Sequence, residues 1–220
     1  QLSATLEPIR DLKIDLNASR METVSKSVQY MYAGNPATQS GTLTMTTISI
    51  GTAFESQGNA NNGYYSRAFE RFCKSLPEFY SRVERQYEGA IYPAGSPLEG
   101  KPYKAENGAL GKYSADVLIP AFLNTYTQMP GKGLDIFPAL TKLLPNWTVK
   151  FSGISRLPWF RDHFKSVNLN HSYKSIYAIG SYSSFSTYQE FMNGLGFITD
   201  ATTGMPVPNS MYNVPMVSIN

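Results

Sequence analysis

Residues 145–183, PNWTVKFSGISRLPWFRDHFKSVNLNHSYKSIYAIGSYS, decide the fold class. They read as two amphipathic strands joined by a short aromatic turn. Trp147 to Ile154 is the first strand and 157–164 the turn. The second strand runs from Phe164 to Ser183, with Val167, Leu169, Tyr173, Tyr177 and Ile179 on one face. Asn168, Asn170, Ser172, Lys174 and Gly180 lie mostly on the other. Ordinary strands run about five or six residues. At about 3.3 Å per residue, roughly eighteen residues make about 60 Å, twice the hydrocarbon core of a bilayer. A strand that long, without a continuous apolar run, predicts a large outer-membrane barrel whose strands project into solvent. The apolar set is expected to face lipid over the embedded part.

Composition narrows the class without deciding it. The 220 residues are 16% charged and 13% aromatic, with a net charge of +3. Abundant Tyr, Phe, Ser, Thr, Asn and Gly fit outer-membrane strands, with aromatics at the interfaces and polar groups toward a wet interior. The same mixture fits a secreted β-sandwich. No Lys/Arg run forms a nucleic-acid patch. The single Cys73 has no internal disulfide partner and no ligand cluster beside it. No apolar stretch approaches the ~18 residues of a membrane-spanning helix. No signal peptide opens the sequence at Gln1, so the barrel reading expects the start of the protein to be missing.

Upstream, Leu12, Ile14, Leu16 and Ala18 alternate with Asp11, Lys13, Asp15, Asn17 and Ser19, a strand pattern over 10–20. A turn is expected at 20–24, with 24–31 pairing back as a hairpin; Gly34-Asn35-Pro36 is a further turn signal. Thr42 to Gly51 is a third strand, rich in β-branched residues. The period then changes. Tyr65, Phe69, Phe72, Leu76, Phe79, Val83 and Tyr87 recur at helical spacing over 64–87, and Pro77 should kink this helix or start a new one. Ser114 caps a second helix reaching Tyr126, with Val117, Leu118, Phe122 and Tyr126 as its stripe and Pro120 as a distortion. Pro/Gly-rich loops fill 89–111 and 129–145. Residues 184–213 read as loop with a short strand near Tyr188, and 214–220 as a strand cut before its end.

The chain thus divides into barrel strands over 1–52, a mainly helical insertion over 53–143, a hairpin with the long strand over 144–183, and a loop with a further strand over 184–220. About six strands are fewer than the ~8 of the smallest single-chain outer-membrane barrels, and an open sheet edge in lipid costs several kcal/mol per unpaired group. The expected fold class is mainly β: an arc of antiparallel strands from a very large transmembrane β-barrel.

No catalytic, cofactor or metal constellation is present in the sequence, so a passive conduit wall without enzymatic activity is expected. His163 and His171 are too far apart for a single-strand metal pair, and His171 reads as a hydrogen-bonding wall residue. Asp11 and Asp15 have Lys13 between them, a wet wall rather than an acid/base pair. Gly131-Lys132-Gly133 lacks the rest of a P-loop. The aromatic stripe of 64–87 reads as packing, with partner binding as the alternative. Trp147, Trp159, Tyr173 and Tyr177 are the membrane-interface candidates. For the two tryptophans, core packing stays open.

Four segments carry a family resemblance: DLKIDLNASR at 11–20, SIGTAFE at 49–55, SADVLIPAFLNTYT at 114–127, and LPNWTVKFSGISRLPWFRDHFKSVNLNHSYKSIYAIGSY at 144–182. They resemble a late portion of the SprA/Sov family, the outer-membrane translocon of the type IX secretion system, which is also implicated in gliding motility. Ile154 stands where the family pattern expects Leu. The resemblance implies a barrel of roughly 36 strands, the largest known. With strands ~4.8 Å apart and tilted about 40°, that gives a diameter near 70 Å, against about 50 Å for a folded domain of ~300 residues. Folded cargo would pass, so the resemblance also implies a periplasmic plug, a PorV-like outer-membrane barrel at a lateral gate, and an inner-membrane motor. Bacterial outer-membrane localisation and contact with lipid follow from the same resemblance.

Two topological expectations complete the reading. Residues 10–52 and 146–183 should lie in one antiparallel sheet, with 42–51 beside 146–154. The insertion, the 20–24 turn and the 184–213 loop should share one side, the extracellular one, opposite 34–39 and 155–163. The competing reading is a secreted or surface-exposed β-rich binding domain, such as a carbohydrate-binding module, which would be a detergent-free monomer. A nutrient-transporter barrel fits less well, lacking so long a helical insertion.

Overall fold

The computed structural model describes residues 1–28, 37–56, 58–104, 111, 113–127, 137–192 and 194–220. The turn expected at Gly34-Asn35-Pro36 and the Gly131-Lys132-Gly133 segment lie outside them. The chain is mostly antiparallel β-sheet, with helices between. A lower sheet holds β1 (Leu2–Ile9), β2 (Leu12–Ala18), β5 (Asn146–Phe151) and β6 (Leu169–Tyr173), in the order β1-β2-β5-β6. An upper sheet holds β3 (Arg20–Ser27), β4 (Thr38–Thr46), β7 (Ile176–Ser184) and β11 (Tyr212–Ile219), in the order β11-β7-β4-β3. A third, small sheet is the meander β8 (Gln189–Met192), β9 (Leu195–Thr199) and β10 (Pro206–Ser210). The helices are α1 (Ile50–Ala53), α2 (Arg67–Gln86), α3 (Ala115–Tyr126) and α4 (Pro158–His163).

The two four-stranded sheets are stacked end to end. Chain β2 runs into β3 through Ser19 alone, and β6 runs into β7 through Lys174 and Ser175. Between these two continuous runs lies one lane, filled by β4 in the upper sheet and β5 in the lower. The chain descends the lane as β4, leaves it after Thr46, returns at Asn146 and completes it as β5. The helical insertion therefore interrupts a strand position at mid-height. The junction is closed by hydrogen bonds in place of the missing ladder. The Thr46 amide donates to the Ser19 carbonyl at 2.9 Å, and the Thr47 amide donates to the Ser175 carbonyl at 3.1 Å. The Asn146 side-chain oxygen accepts the Ser175 amide at 2.9 Å, and the Tyr173 hydroxyl accepts the Ser49 amide at 2.7 Å.

This arrangement corrects several expectations. Residues 42–51 do not lie beside 146–154 in one sheet; β4 and β5 belong to separate sheets and meet end to end. The long strand over 164–183 begins only at Leu169 and is split at Lys174–Ser175, because the neighbouring lane is interrupted there and the ladder stops. The turn expected at 20–24 is strand: 20–24 holds no Gly, Pro or Asn to bend the chain. Residues 184–213 are not mainly loop but the three-stranded meander, whose Gly and Pro residues mask its alternation. The grouping of connections also differs. β3 ends and β4 begins (Ser27 opposite Thr38) at the end where β7 gives way to β11 (Ser184 opposite Tyr212). The β1–β2 turn and the β5–β6 connection share the opposite end, where Asp11 accepts the Ser152 amide through its carbonyl and pairs with Arg156 at 2.6 Å. Asp11 takes a left-handed conformation, φ 69°, to make that tight turn.

The insertion has its own core. Leu76, Phe79 and Val83 of α2 pack with Val117 and Ala121 of α3, and Tyr87, Tyr92 and Phe197 extend that core to the meander. Helix α2 passes through Pro77 as a single helix rather than restarting, since Pro77 is on the exposed face and the carbonyl it leaves unbonded can be solvated. Helix α3 buries two sides, not one stripe: Val117 and Ala121 face α2, while Ile119 and Leu123 face the upper sheet. It is the layer between the sheet and α2. Ser114 sits at its N-cap position but makes no capping bond with its side chain.

Candidate membrane-facing sheet

The lower sheet separates its side chains by chemistry almost completely. Directly opposed residues share a face in an antiparallel ladder. The rows Leu16–Trp147–Tyr173, Ile14–Val149–His171 and Leu12–Phe151–Leu169 run across β2, β5 and β6. Leu2, Ala4 and Leu6 of β1 stand against Ala18, Leu16 and Ile14 and extend that face. His171 is its one residue with a basic side chain. The rows of the other face are Lys13–Lys150–Asn170 and Asp15–Thr148–Ser172, with Asn17 against Asn146, and Ser3 and Thr5 alongside. That face is tied by its own polar contacts: Thr5 donates to Asp15 at 2.7 Å, and Lys13 lies 3.7 Å from Asp15.

Among the described residues, only the returning chain at Leu140, Leu143 and Pro145 lies over the apolar rows, at their junction end. Ala18 is the only buried residue of the four strands. Leu2, Leu6 and Leu169 are 66%, 49% and 51% exposed. Soluble monomers rarely expose a contiguous apolar sheet face of this kind. The six residue steps from Leu12 to Ala18 span about 20 Å along the strand, close to the ~25 Å apolar band of outer-membrane barrels.

The four interface candidates separate. Trp147 and Tyr173 stack side by side at the junction end of the apolar face, ring centroids 4.4 Å apart. Trp159 lies on α4 in the connection at the opposite end, 59% exposed, stacked on His163 at 4.9 Å, with Phe160 and Phe164 beside it. Aromatic groups therefore mark both ends of the apolar rows. Tyr177 does not join them. It is fully buried with Ile179, Leu43 and Met45 beneath Ile119 and Leu123 of α3. The expectation that Tyr177 and Ile179 face lipid is thus replaced by packing against the insertion. The sequence could not separate these two fates, because the same alternation continues from 169 to 179.

On the upper sheet, Tyr182 lies over Gly41, where an added Cβ would run into the Thr23 carbonyl oxygen and lie 2.6 Å from the Tyr182 hydroxyl. Phe137 meets Tyr182 and Tyr212 edge-on, at 4.8 and 5.4 Å. Among the polar groups of the insertion, Asp116 of α3 is 2% exposed and accepts the Ser210 amide at 2.8 Å, tying α3 to the meander. Burial pushes its carboxyl above the usual range, opposed by its hydrogen bond with Ser210. Burial likewise raises the Tyr87 hydroxyl, which donates to the Gly196 carbonyl at 2.9 Å. Among the described residues no three His, Cys, Asp or Glu side chains gather as metal ligands.

No family model matches this chain. No curated protein matches it by sequence.

Proposed function

We propose that the chain is an arc of the wall of a very large outer-membrane β-barrel, the protein-conducting channel that its resemblance to the SprA/Sov family implies. The largely uncovered apolar face of the lower sheet carries this reading. In an outer-membrane barrel, apolar residues face lipid and polar residues face a wet interior, strand by strand. The rows through Ile14, Val149 and His171 face lipid, and those through Asp15, Thr148 and Ser172 face the conduit. Trp147 and Tyr173 at one end and Trp159 at the other supply the interfacial aromatics. The free edges of β1 and β6 pair with other strands of the same translocon, since lipid tolerates no unpaired ladder, and the edges of β3 and β11 continue the same wall above it. The upper sheet projects beyond the membrane with the insertion on it. The wall is passive, and cargo proteins, a plug and a PorV-like barrel are its partners.

Fractionation of cells tests this. The intact protein should sediment with the outer membrane and dissolve only in detergent, and its depletion should leave exported cargo inside the cell. Recovery as a detergent-free monomer would instead favour the secreted binding domain.

A further inference from the structure

We infer that the insertion rests on the bilayer surface, outside the conduit, and that the groove beneath it holds an acyl chain of a membrane lipid. This rests on the lipid-facing reading of the apolar rows. Alternation keeps its parity across the junction. Leu12, Ile14, Leu16 and Ala18 are followed on the same face by Arg20 and Glu22, which stand opposite Met45 and Leu43. Those two stand opposite Tyr177 and Ile179, which continue the face of Leu169, His171 and Tyr173. Helix α3 packs on this face. The insertion is therefore stacked above the apolar rows on their own side. A plug lying in the conduit would pack on the other, polar side.

Between the underside of the insertion and the sheet is an open groove of about 660 Å³. Leu2, Ala4 and Leu16 line it from the sheet; Leu140, Leu143 and Pro145 line it from the returning chain. Leu140 is 65% exposed on a short helical turn. The groove is continuous with the apolar rows, because Leu2, Ala4 and Leu16 belong to both. Whatever solvates the rows enters the groove. Arg20 closes its upper end, donating to the Pro138 carbonyl and pairing with Glu22 at 2.8 Å. That pairing neutralises the end of the groove, so the site suits a hydrocarbon chain rather than an anionic headgroup.

The test is photo-crosslinking of the intact protein in nanodiscs of phosphatidylethanolamine and phosphatidylglycerol. Leu140, Leu6 and Thr148 are replaced one at a time by benzoylphenylalanine, and adducts are identified by mass spectrometry. Lipid adducts at 140 and 6, with none at 148, are expected. Adducts at 6 alone, or a protein adduct at 140, overturn the groove and leave the wall reading standing. Adducts at neither 6 nor 140, or at 148 without 6, overturn both. Leu140 is exposed, so its replacement leaves folding intact; Leu143→Asp, which should abolish the adduct at 140, is the second check.

Discussion

Val149→Lys is the most direct probe of the apolar face. Val149 is the middle residue of the middle row, in the central lane, between Ile14 and His171. Two residue steps separate it from the Trp147 row and two from the Phe151 row, about 7 Å each way. A lysine there has apolar neighbours above and below. In the barrel wall it lies near mid-membrane, where a lipid-facing Lys costs about 2–4 kcal/mol, roughly a 30- to 900-fold shift in the folding equilibrium. On a water-exposed sheet of a soluble domain the same change would fall within about 0.5 kcal/mol. Thr148→Lys is the matched control, one residue away on the polar face. The chain already carries Lys150 on that face, so a lysine is accommodated at this depth. The assay is equilibrium unfolding by urea from lipid vesicles, with the heat-modifiable band on unheated SDS gels as a second readout. The folding equilibrium constant should fall at least tenfold for Val149→Lys and less than threefold for Thr148→Lys. Equal effects at 148 and 149, or a Val149→Lys protein indistinguishable from wild type, would refute the lipid-facing assignment.

Three further outcomes follow from the geometry. Gly41→Val should destabilise the upper sheet by roughly 1–3 kcal/mol or more, and Tyr182→Ala should not rescue it, because the clash with the Thr23 carbonyl remains; thermal melts of the single and double variants decide this. Asn146→Ala leaves the buried Ser175 amide without its acceptor, at about 1–3 kcal/mol, and should speed hydrogen exchange at Ser175 while leaving β3–β4 exchange unchanged. The raised Asp116 carboxyl binds its proton more tightly folded than unfolded, so its contribution is complete below the unfolded value of 3.8 and is lost as pH rises through the folded value. Asp116→Asn should therefore gain on wild type in thermal stability as pH rises toward neutral and converge with it in acid; a difference independent of pH would contradict the burial argument.

The faces of the lower sheet were legible in the sequence, because strict alternation over 12–18 and 146–151 leaves a single choice of sides. The helices were legible for the same reason at a different period. Strand β1 carries the same signal, Leu2, Ala4 and Leu6 against Ser3, Thr5 and Glu7, but Pro8 and the register shift after Leu6 hide its pairing. The two-sided burial of α3 could not be read from one stripe, because it depends on which layers meet there. Nor could the position of the insertion. The sequence shows a strand before it and a strand after it, which is equally true of a loop joining two neighbouring strands and of a break within one lane. Only the partners distinguish these cases: β4 chooses β3 and β7, and β5 chooses β2 and β6.

On the barrel reading, the broken lane also limits where the membrane would lie. In hydrocarbon, each unpaired backbone group costs several kcal/mol, so a ladder can be interrupted only where water or protein supplies partners. At the junction, protein supplies them: Asn146, Tyr173, Ser19 and Ser175 take the bonds that an unbroken neighbour would have made. Those partners are polar, and Ser49, Thr46 and Thr47 cluster with them, an arrangement suited to the wet side of an interface. The apolar rows stop at the same level, at Ala18 and the stacked Trp147 and Tyr173. On the barrel reading, the strand leaves the bilayer where its lane is cut. Covering the emerged face then falls to the insertion, which places Ile119 and Leu123 over Leu43, Met45, Tyr177 and Ile179. On that reading, one alternating pattern serves two solvents in succession, lipid below the junction and α3 above it.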